Sequence, residues 1–196
     1  MNAFLISTAV IFVAELGDKS QLMAMTFATR FRVREVLLGI TAATAVVHLA
    51  SVGIGFLIGD AFADSQDAIS IVAGIAFLGF AAWTLRGDTL SDEEASKAKA
   101  AGGAAFLAVA VAFFLAELGD KTMLATITLA TRESDWVAIA GVWLGSTLGM
   151  VVADALAIVV GAVLGRHLPE RVIRYGATAA FLVFGVLLVA EGAGWL

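Results

Sequence analysis

Long apolar stretches separated by short polar segments dominate the chain. Six stretches can be delimited, at about residues 3–29, 36–59, 68–86, 104–130, 137–164 and 173–195. Each is long enough for a helix that crosses the hydrocarbon layer, since about 20 predominantly apolar residues suffice. The pattern therefore predicts an all-α membrane protein with six transmembrane helices.

One polar segment is longer than the others and divides the chain. Residues 86–103, RGDTLSDEEASKAKAAGG, mix both charges and end in small side chains, as flexible linkers do. We therefore expect a three-helix repeat at 1–86, a cytoplasmic linker at 87–103 and a second three-helix repeat at 104–196. Because each repeat has an odd number of spans, the second is inverted relative to the first, as in many secondary transporters.

Composition agrees with a membrane location. Hydrophobic residues make up 61% of the chain and its mean hydropathy is +0.97, whereas soluble domains contain about 45–50% apolar residues. The N-terminus lacks the basic flank of a secretory signal, so the first apolar stretch is expected to remain as a span. The absence of Cys excludes disulfides and thiolate metal ligands.

The basic residues predict an orientation. Loops after spans 1, 3 and 5 carry nine Lys and Arg residues, whereas the opposite loops carry only Arg132. Since Lys and Arg collect in cytoplasmic loops, both termini are expected to be non-cytoplasmic. The nine residues are Arg30, Arg32, Arg34, Arg86, Lys97, Lys99, Arg166, Arg171 and Arg174.

One motif occurs twice, each time inside an apolar stretch. Residues 14–30 read AELGDKSQLMAMTFATR and residues 116–132 read AELGDKTMLATITLATR, and the two agree at 11 of 17 positions. A charged side chain at membrane depth costs about 2.5–3.5 kcal/mol on insertion scales, so two matching clusters require a functional reason. The candidate residues are Glu15, Asp18, Glu117 and Asp120, accompanied by Lys19 and Lys121.

The motif residues suit a hard divalent cation. Four carboxylates and two lysines carry a formal charge of −2, which one dication neutralises. Carboxylate, hydroxyl and amide oxygens favour Ca²⁺, Mn²⁺ or Mg²⁺, and Ser20, Thr122 and Gln21 add such oxygens. Buried carboxylates that lie close together also attract protons. Competition between metal and protons in a scaffold that opens alternately to each side would be cation/proton antiport.

Several points stay open at this level. Gly17 and Gly119 lie between each Glu and Asp, where the helix is either continuous or broken. The acids could instead form buried ion pairs with the lysines four residues on, holding helices together. Asp154 has Val52 as its counterpart in the first repeat, so it is either a supporting ligand, a proton relay or simply buried. His48 is either a proton relay or a packing residue.

The pattern Glu-x-Gly-Asp-Lys-(Ser/Thr), at Glu15–Ser20 and Glu117–Thr122, resembles the signature of the Gdt1-like cation/Ca²⁺ exchanger family. The resemblance covers both halves of the chain. It implies secondary transport of Mn²⁺ or Ca²⁺ coupled to protons, with the four motif acids as cation ligands and the transported ion as substrate rather than cofactor. The short loops resemble bacterial members, which implies Mn²⁺ export across the inner membrane.

Two other classes of protein fit the sequence less well. An intramembrane aspartyl protease has Gly-x-Gly-Asp, whereas Glu15 and Glu117 stand at the first position here, so we expect no enzyme. An exporter of small organic cations or amino acids would need more aromatic surface near the acids, where Phe27 stands alone within the motifs. The expected partners are metal ions, protons and the lipid bilayer, with no nucleic acid and with a homo-oligomer left open.

Overall fold

The computed structural model describes residues 2–86, 105–164 and 170–195, and within them the regular structure is entirely helical. The predicted linker at 87–103 lies outside these residues. A single 3₁₀ turn, Ala63–Ser65, precedes one of the α-helices. The α-helices are α1 (Asn2–Glu15), α2 (Lys19–Ala28), α3 (Val33–Ala61), α4 (Gln66–Arg86), α5 (Ala105–Glu117), α6 (Lys121–Ala130), α7 (Trp136–Leu164) and α8 (Glu170–Gly192).

Four of the helical segments are long and apolar enough to cross a membrane. They are Val33–Ala61, Ala63–Arg86, Trp136–Ala162 and Arg174–Gly192. The apolar stretches predicted at 3–29 and 104–130 each form two shorter helices instead of one. The all-helical membrane class is confirmed, and the arrangement as six spans in two inverted repeats stays a prediction.

The pair α1 and α2 runs along the whole length of α7. Gly145 lies against the backbone of Phe4 and Thr8, and Gly149 lies against Thr8 and Phe12. Further on, Gly161 meets the side chain of Met25 in α2. Residue numbers rise together on both sides of this contact, so the helices are parallel. Small residues permit such close backbone approach between apolar helices.

The pair α5 and α6 packs in the same way on α3. Gly39 contacts Phe106 and Val109 of α5, and Gly55 contacts Ile127 and Ala130 of α6. The direction is again parallel, because both sets of residue numbers rise together. Each motif-bearing pair of helices therefore packs on the long helix of the other half of the chain.

The helices α4 and α8 form a separate antiparallel pair. Gly74 contacts Gly185, while Gly192 contacts the backbone of Asp67, so one series falls as the other rises. A cluster of rings fills this interface and packs against the core beside α1 and α7. The rings belong to Phe77, Phe80, Phe181 and Phe184, with centroids 4.9–6.1 Å apart.

Replacing Gly149 by Ala is expected to destabilise the protein. The added Cβ would lie 2.5 Å from the carbonyl oxygen of Thr8, so α1 must move away from α7, and such overpacking costs about 1–3 kcal/mol. Unfolding in mixed detergent micelles measures the effect. Gly53→Ala is the matched control, since its Cβ would meet nothing within 4 Å. Equal destabilisation by the two changes would contradict this packing.

Candidate cation site

Each motif breaks its helix at the glycine. Helix α1 ends at Glu15 and α2 begins at Lys19, while Gly17 has a φ of 74°. Gly119 has a φ of 79° between α5 and α6. This left-handed conformation is readily adopted by Gly and strained for other residues. The question left open by the sequence is therefore answered: both motif helices are broken.

The break places the two acids of a motif at two helix ends. Glu15 and Glu117 are the last residues of α1 and α5. Asp18 caps α2, and one of its carboxylate oxygens accepts hydrogen bonds from the backbone N–H of Ser20 at 3.3 Å and from its hydroxyl at 3.0 Å. Because the carbonyl end of a helix carries partial negative charge, the ends of α1 and α5 favour a cation.

The N–H group released at each glycine finds a side-chain acceptor one turn later. The N–H of Gly17 donates to Oε1 of Gln21 at 2.8 Å, and Gln21 Nε2 donates to the carbonyl of Ala153 at 2.9 Å. In the second motif, the N–H of Gly119 donates to Sδ of Met123 at 3.2 Å. Gln21 therefore links the helix break at Gly17 to α7 through two hydrogen bonds.

Carboxylates of both motifs come together in one buried cluster. One oxygen from each of Glu15, Asp18 and Glu117 lies within 4.8 Å of the others. The exposed fractions of these residues are 0%, 1% and 1%. Three carboxylates so close and so dry repel one another unless a cation or protons compensate them. We call these three residues the acid cluster.

Two carboxylate oxygens of the acid cluster accept no hydrogen bond from any described residue. The single hydroxyl proton of Ser20 is shared between Glu15 Oε1 and Asp18 Oδ2, and Thr122 Oγ1 donates to Glu117 Oε2 at 2.8 Å. The second oxygens, Glu15 Oε2 and Glu117 Oε1, are buried without a hydrogen-bond partner among the residues described. Buried polar atoms normally have partners, so these oxygens are positioned to bind a ligand.

An ion pair joins the two motifs. Lys121 Nζ contacts Asp18 Oδ1, and both side chains are almost completely buried. Lys19 occupies the equivalent first position of α2 and is partly buried. The sequence left open that each lysine pairs with the glutamate four residues earlier in its own motif. In the structure, Lys121 pairs with Asp18 of the other motif. The lysine therefore helps to hold the motifs together in addition to offsetting charge.

The two remaining predicted acids, Asp120 and Asp154, lie near the acid cluster. Asp120 is buried within electrostatic reach of Glu117, outside the group of three. Asp154 of α7 is fully buried within electrostatic reach of Glu15 and Asp18. Both carboxylate oxygens of Asp154 lack a hydrogen-bond partner among the described residues.

His48 lies apart from the acid cluster in its hydrogen bonding. Its Nδ1 is 3.3 Å from the hydroxyl of Thr147, and the ring is 1% exposed between α3 and α7. Three buried hydroxyls that the sequence did not single out, those of Ser7, Thr84 and Ser146, have no hydrogen-bond partner among the described residues. No motif marks these three residues, because isolated Ser and Thr residues are common in packed membrane helices.

Apolar helices long enough to span a bilayer, together with buried acids from two copies of a motif, define an integral membrane protein with a candidate cation site. The sequence profile described as "Divalent cation/proton antiporter GDT1" matches residues 3–92 and 105–195. The chain therefore belongs to the GDT1 family.

Individual relatives agree with this assignment. A "Putative manganese exporter" from Vibrio cholerae is 32% identical over 95% of this chain and 90% of its own length. GDT1-like protein sll0615 from Synechocystis is 29% identical over 95% and 96% of the two chains. Protein PAM71 of Arabidopsis thaliana, a chloroplast protein, is 30% identical, and this chain spans 57% of its length. No solved structure matches the chain.

Proposed function

We propose that this protein exports Mn²⁺ across a bacterial inner membrane in exchange for protons. The ligands are the acids Glu15, Asp18, Glu117 and Asp120. The family profile supports cation/proton exchange, and the name of the Vibrio cholerae relative supports Mn²⁺ over Ca²⁺. The supporting residues proposed are Ser20, Thr122, Lys19, Lys121, Gln21 and Asp154.

The observation that carries this proposal is the acid cluster itself. The acid cluster contains buried carboxylates from both motifs. Two of their oxygens, Glu15 Oε2 and Glu117 Oε1, have no hydrogen-bond partner among the described residues. Oxygen-only donors are the ligands that hard divalent cations take. The ends of α1 and α5 add partial negative charge at the same place.

We further propose that the six apolar stretches form two inverted three-span repeats. In support, α1 and α2 together accompany the 29-residue helix α7, and α5 and α6 accompany the 29-residue helix α3. At 1.5 Å per residue each long helix measures about 43 Å, which exceeds the hydrocarbon thickness. Each broken pair therefore has the reach of one membrane span.

Alternation between two openings would couple the two ions. The acid cluster holds either the dication or protons, because both neutralise the same carboxylates. With both termini on the non-cytoplasmic side, as the basic residues predict, the protein would take Mn²⁺ from the cytoplasm and admit protons from outside. A reporter fused after Leu196 that proves cytoplasmic would contradict this orientation.

Purified protein in proteoliposomes with an acidic interior tests the function. Addition of Mn²⁺ outside should produce metal uptake together with alkalinisation of the interior, at a rate well above that of empty liposomes. Ca²⁺ and Mg²⁺ added in parallel rank the cations. If no divalent cation enters and no proton leaves, the antiport proposal fails, and small organic cations or amino acids become the substrates to test.

A further inference from the structure

A cavity of about 230 Å³ opens beside the start of α1 and the end of α6. Arg132 and Glu133 stand at its wall, and the guanidinium of Arg132 pairs with the carboxylate of Glu191 at 2.6 Å. Ser7 and Val142 also line the cavity. Ser7 is 1% exposed, and its hydroxyl has no hydrogen-bond partner among the described residues. The cavity thus ends on an unsatisfied polar group.

A row of side chains on α7 continues from the cavity toward the acid cluster. Val142, Ser146, Met150 and Asp154 follow one another at intervals of four residues, which places them in one row inclined to the helix axis, and Met150 is a fully buried apolar residue in this row. Ser146 and Asp154 are fully buried, and their side-chain oxygens lack partners among the described residues. At 1.5 Å per residue, Ser146 lies about 6 Å beyond Val142, and Asp154 about 12 Å further.

The two serines, like Thr84 of α4, differ from most other described helical hydroxyls. Thr8, Thr44 and Thr147 each donate to the carbonyl one turn earlier, which is the usual way in which a hydroxyl is satisfied inside an apolar helix. Ser7 and Ser146 make no such bond. Buried polar groups without protein partners are normally satisfied by ordered water, so a bound water is the expected partner of each hydroxyl.

The equivalent row in the other half of the chain has no buried side-chain oxygen or nitrogen without a hydrogen-bond partner among the described residues. With the spacing of 102 residues between the motifs, Ser7 corresponds to Val109, Ser146 to Thr44, Met150 to His48 and Asp154 to Val52. The ring nitrogen Nδ1 of His48 lies 3.3 Å from the hydroxyl of Thr147. Val109 is fully buried in an apolar cluster with Phe113, and Thr44 is satisfied by its own helix. The two approaches to the acid cluster therefore differ in chemistry.

We propose that Ser7, Ser146 and Asp154 form a one-sided hydrophilic path from this cavity to the acid cluster. Water and small cations pass along it from the end of the protein that carries Arg132 and Glu133. The identity of the ions that use it rests on the antiport function proposed above. The path itself rests on the cavity, on the three groups without hydrogen-bond partners among the described residues, and on their counterparts, which are either apolar or hydrogen-bonded.

Thiol accessibility tests the path directly, because the chain contains no Cys. Ser7→Cys and Ser146→Cys place single thiols on the path. Val109→Cys and Thr44→Cys are the matched controls at the equivalent positions. Ser134→Cys, at an exposed site beside Arg132, marks the side from which the cavity opens. A small, water-soluble, membrane-impermeant methanethiosulfonate reagent is applied separately to each face of sealed vesicles.

The expected result is labelling of the two path thiols from the face that labels Ser134→Cys. The two controls should react at least about tenfold more slowly, because an apolar surrounding excludes the reagent and disfavours the reactive thiolate. Equal rates at path and control positions, or labelling from the opposite face, would overturn the proposal. The near-isosteric Ser→Cys changes should leave the fold intact, which gel filtration of each variant verifies.

This experiment separates the path from the transport function. If the path thiols are labelled as expected in a protein that moves no divalent cation, the path stands and the antiport proposal fails. If the protein exchanges Mn²⁺ for protons while both path thiols behave like their controls, the antiport proposal stands and the path is wrong.

Discussion

Glu15→Gln and Glu117→Gln should each lower Mn²⁺ affinity by at least about 10–100-fold, the range in which disturbed metal sites fall, and should abolish proton-coupled transport. Gln keeps the size of Glu and an oxygen that can accept the hydroxyl bond of Ser20 or Thr122. The folded structure should therefore persist. What is lost is one charge of the acid cluster and one oxygen that has no hydrogen-bond partner among the described residues.

The binding readout for this prediction is thermal stabilisation by Mn²⁺ in detergent, since a ligand that binds only the folded state stabilises it by an amount that grows with the logarithm of the ligand concentration above Kd. The wild type should show a shift that grows with Mn²⁺ concentration, and both variants should show little. Glu35→Gln, in the first turn of α3, is the matched control. Variants with unchanged Mn²⁺ stabilisation and transport would remove Glu15 and Glu117 from the binding site.

Lys121→Met should be the most destabilising single change considered. Lys121 pairs with Asp18 across the two halves, with both side chains almost fully buried. Removal of one partner from a buried ion pair costs about 3–5 kcal/mol, because the remaining charge stays in an apolar surrounding. The variant also leaves the site more negative, so Mn²⁺ should stabilise it more strongly than it stabilises the wild type.

The matched control for this change is Arg132→Met. Arg132 pairs with Glu191, but these side chains are 26% and 53% exposed, and exposed pairs contribute only about 0–1 kcal/mol. The double variant Asp18→Asn/Lys121→Met should recover part of the lost stability in the unfolding measurement, since it removes both charges. Similar losses of stability for Lys121→Met and Arg132→Met would show that the buried ion pair contributes no more to stability than the exposed one.

The helical fold and the candidate acids can be predicted from the sequence because both leave local signals. Apolar stretches of membrane length predict spanning helices, and charged residues inside them stand out against that background. Glu15, Asp18 and Glu117 lie close together in the structure, and their role as cation ligands stays a prediction. Asp120, predicted as their equal by symmetry, is buried beside Glu117 but outside the closest group.

The breaks in the motif helices could not be predicted in the same way. Hydropathy is averaged over a window, and Gly17 or Gly119 within it lowers the average very little. Gly is also common in continuous membrane helices, where it serves packing. Its positive φ depends on what receives the released N–H group, here Gln21 in one half and Met123 in the other. That choice is made by tertiary contacts.

Contacts between distant parts of the chain also could not be predicted from the sequence. The helical spacing predicts that Lys121 can pair with Glu117, four residues earlier. In the structure it pairs with Asp18 of the other motif. Likewise, nothing in the local pattern places α1 on α7. Ser7 and Ser146 become informative only when their hydrogen bonds can be counted, since a Ser in an apolar helix is otherwise unremarkable.

The packing of each motif on the other half has a consequence for biogenesis. The bond from Gln21 to Ala153 spans 132 positions, so α1 and α2 leave the ribosome long before α7 exists to receive them. Until then, Glu15 and Asp18 lack the neighbours that bury them in the finished protein. Membrane insertion therefore has to shelter the first motif until the second half arrives, and a chain that stopped after α4 would be a substrate for quality-control proteolysis.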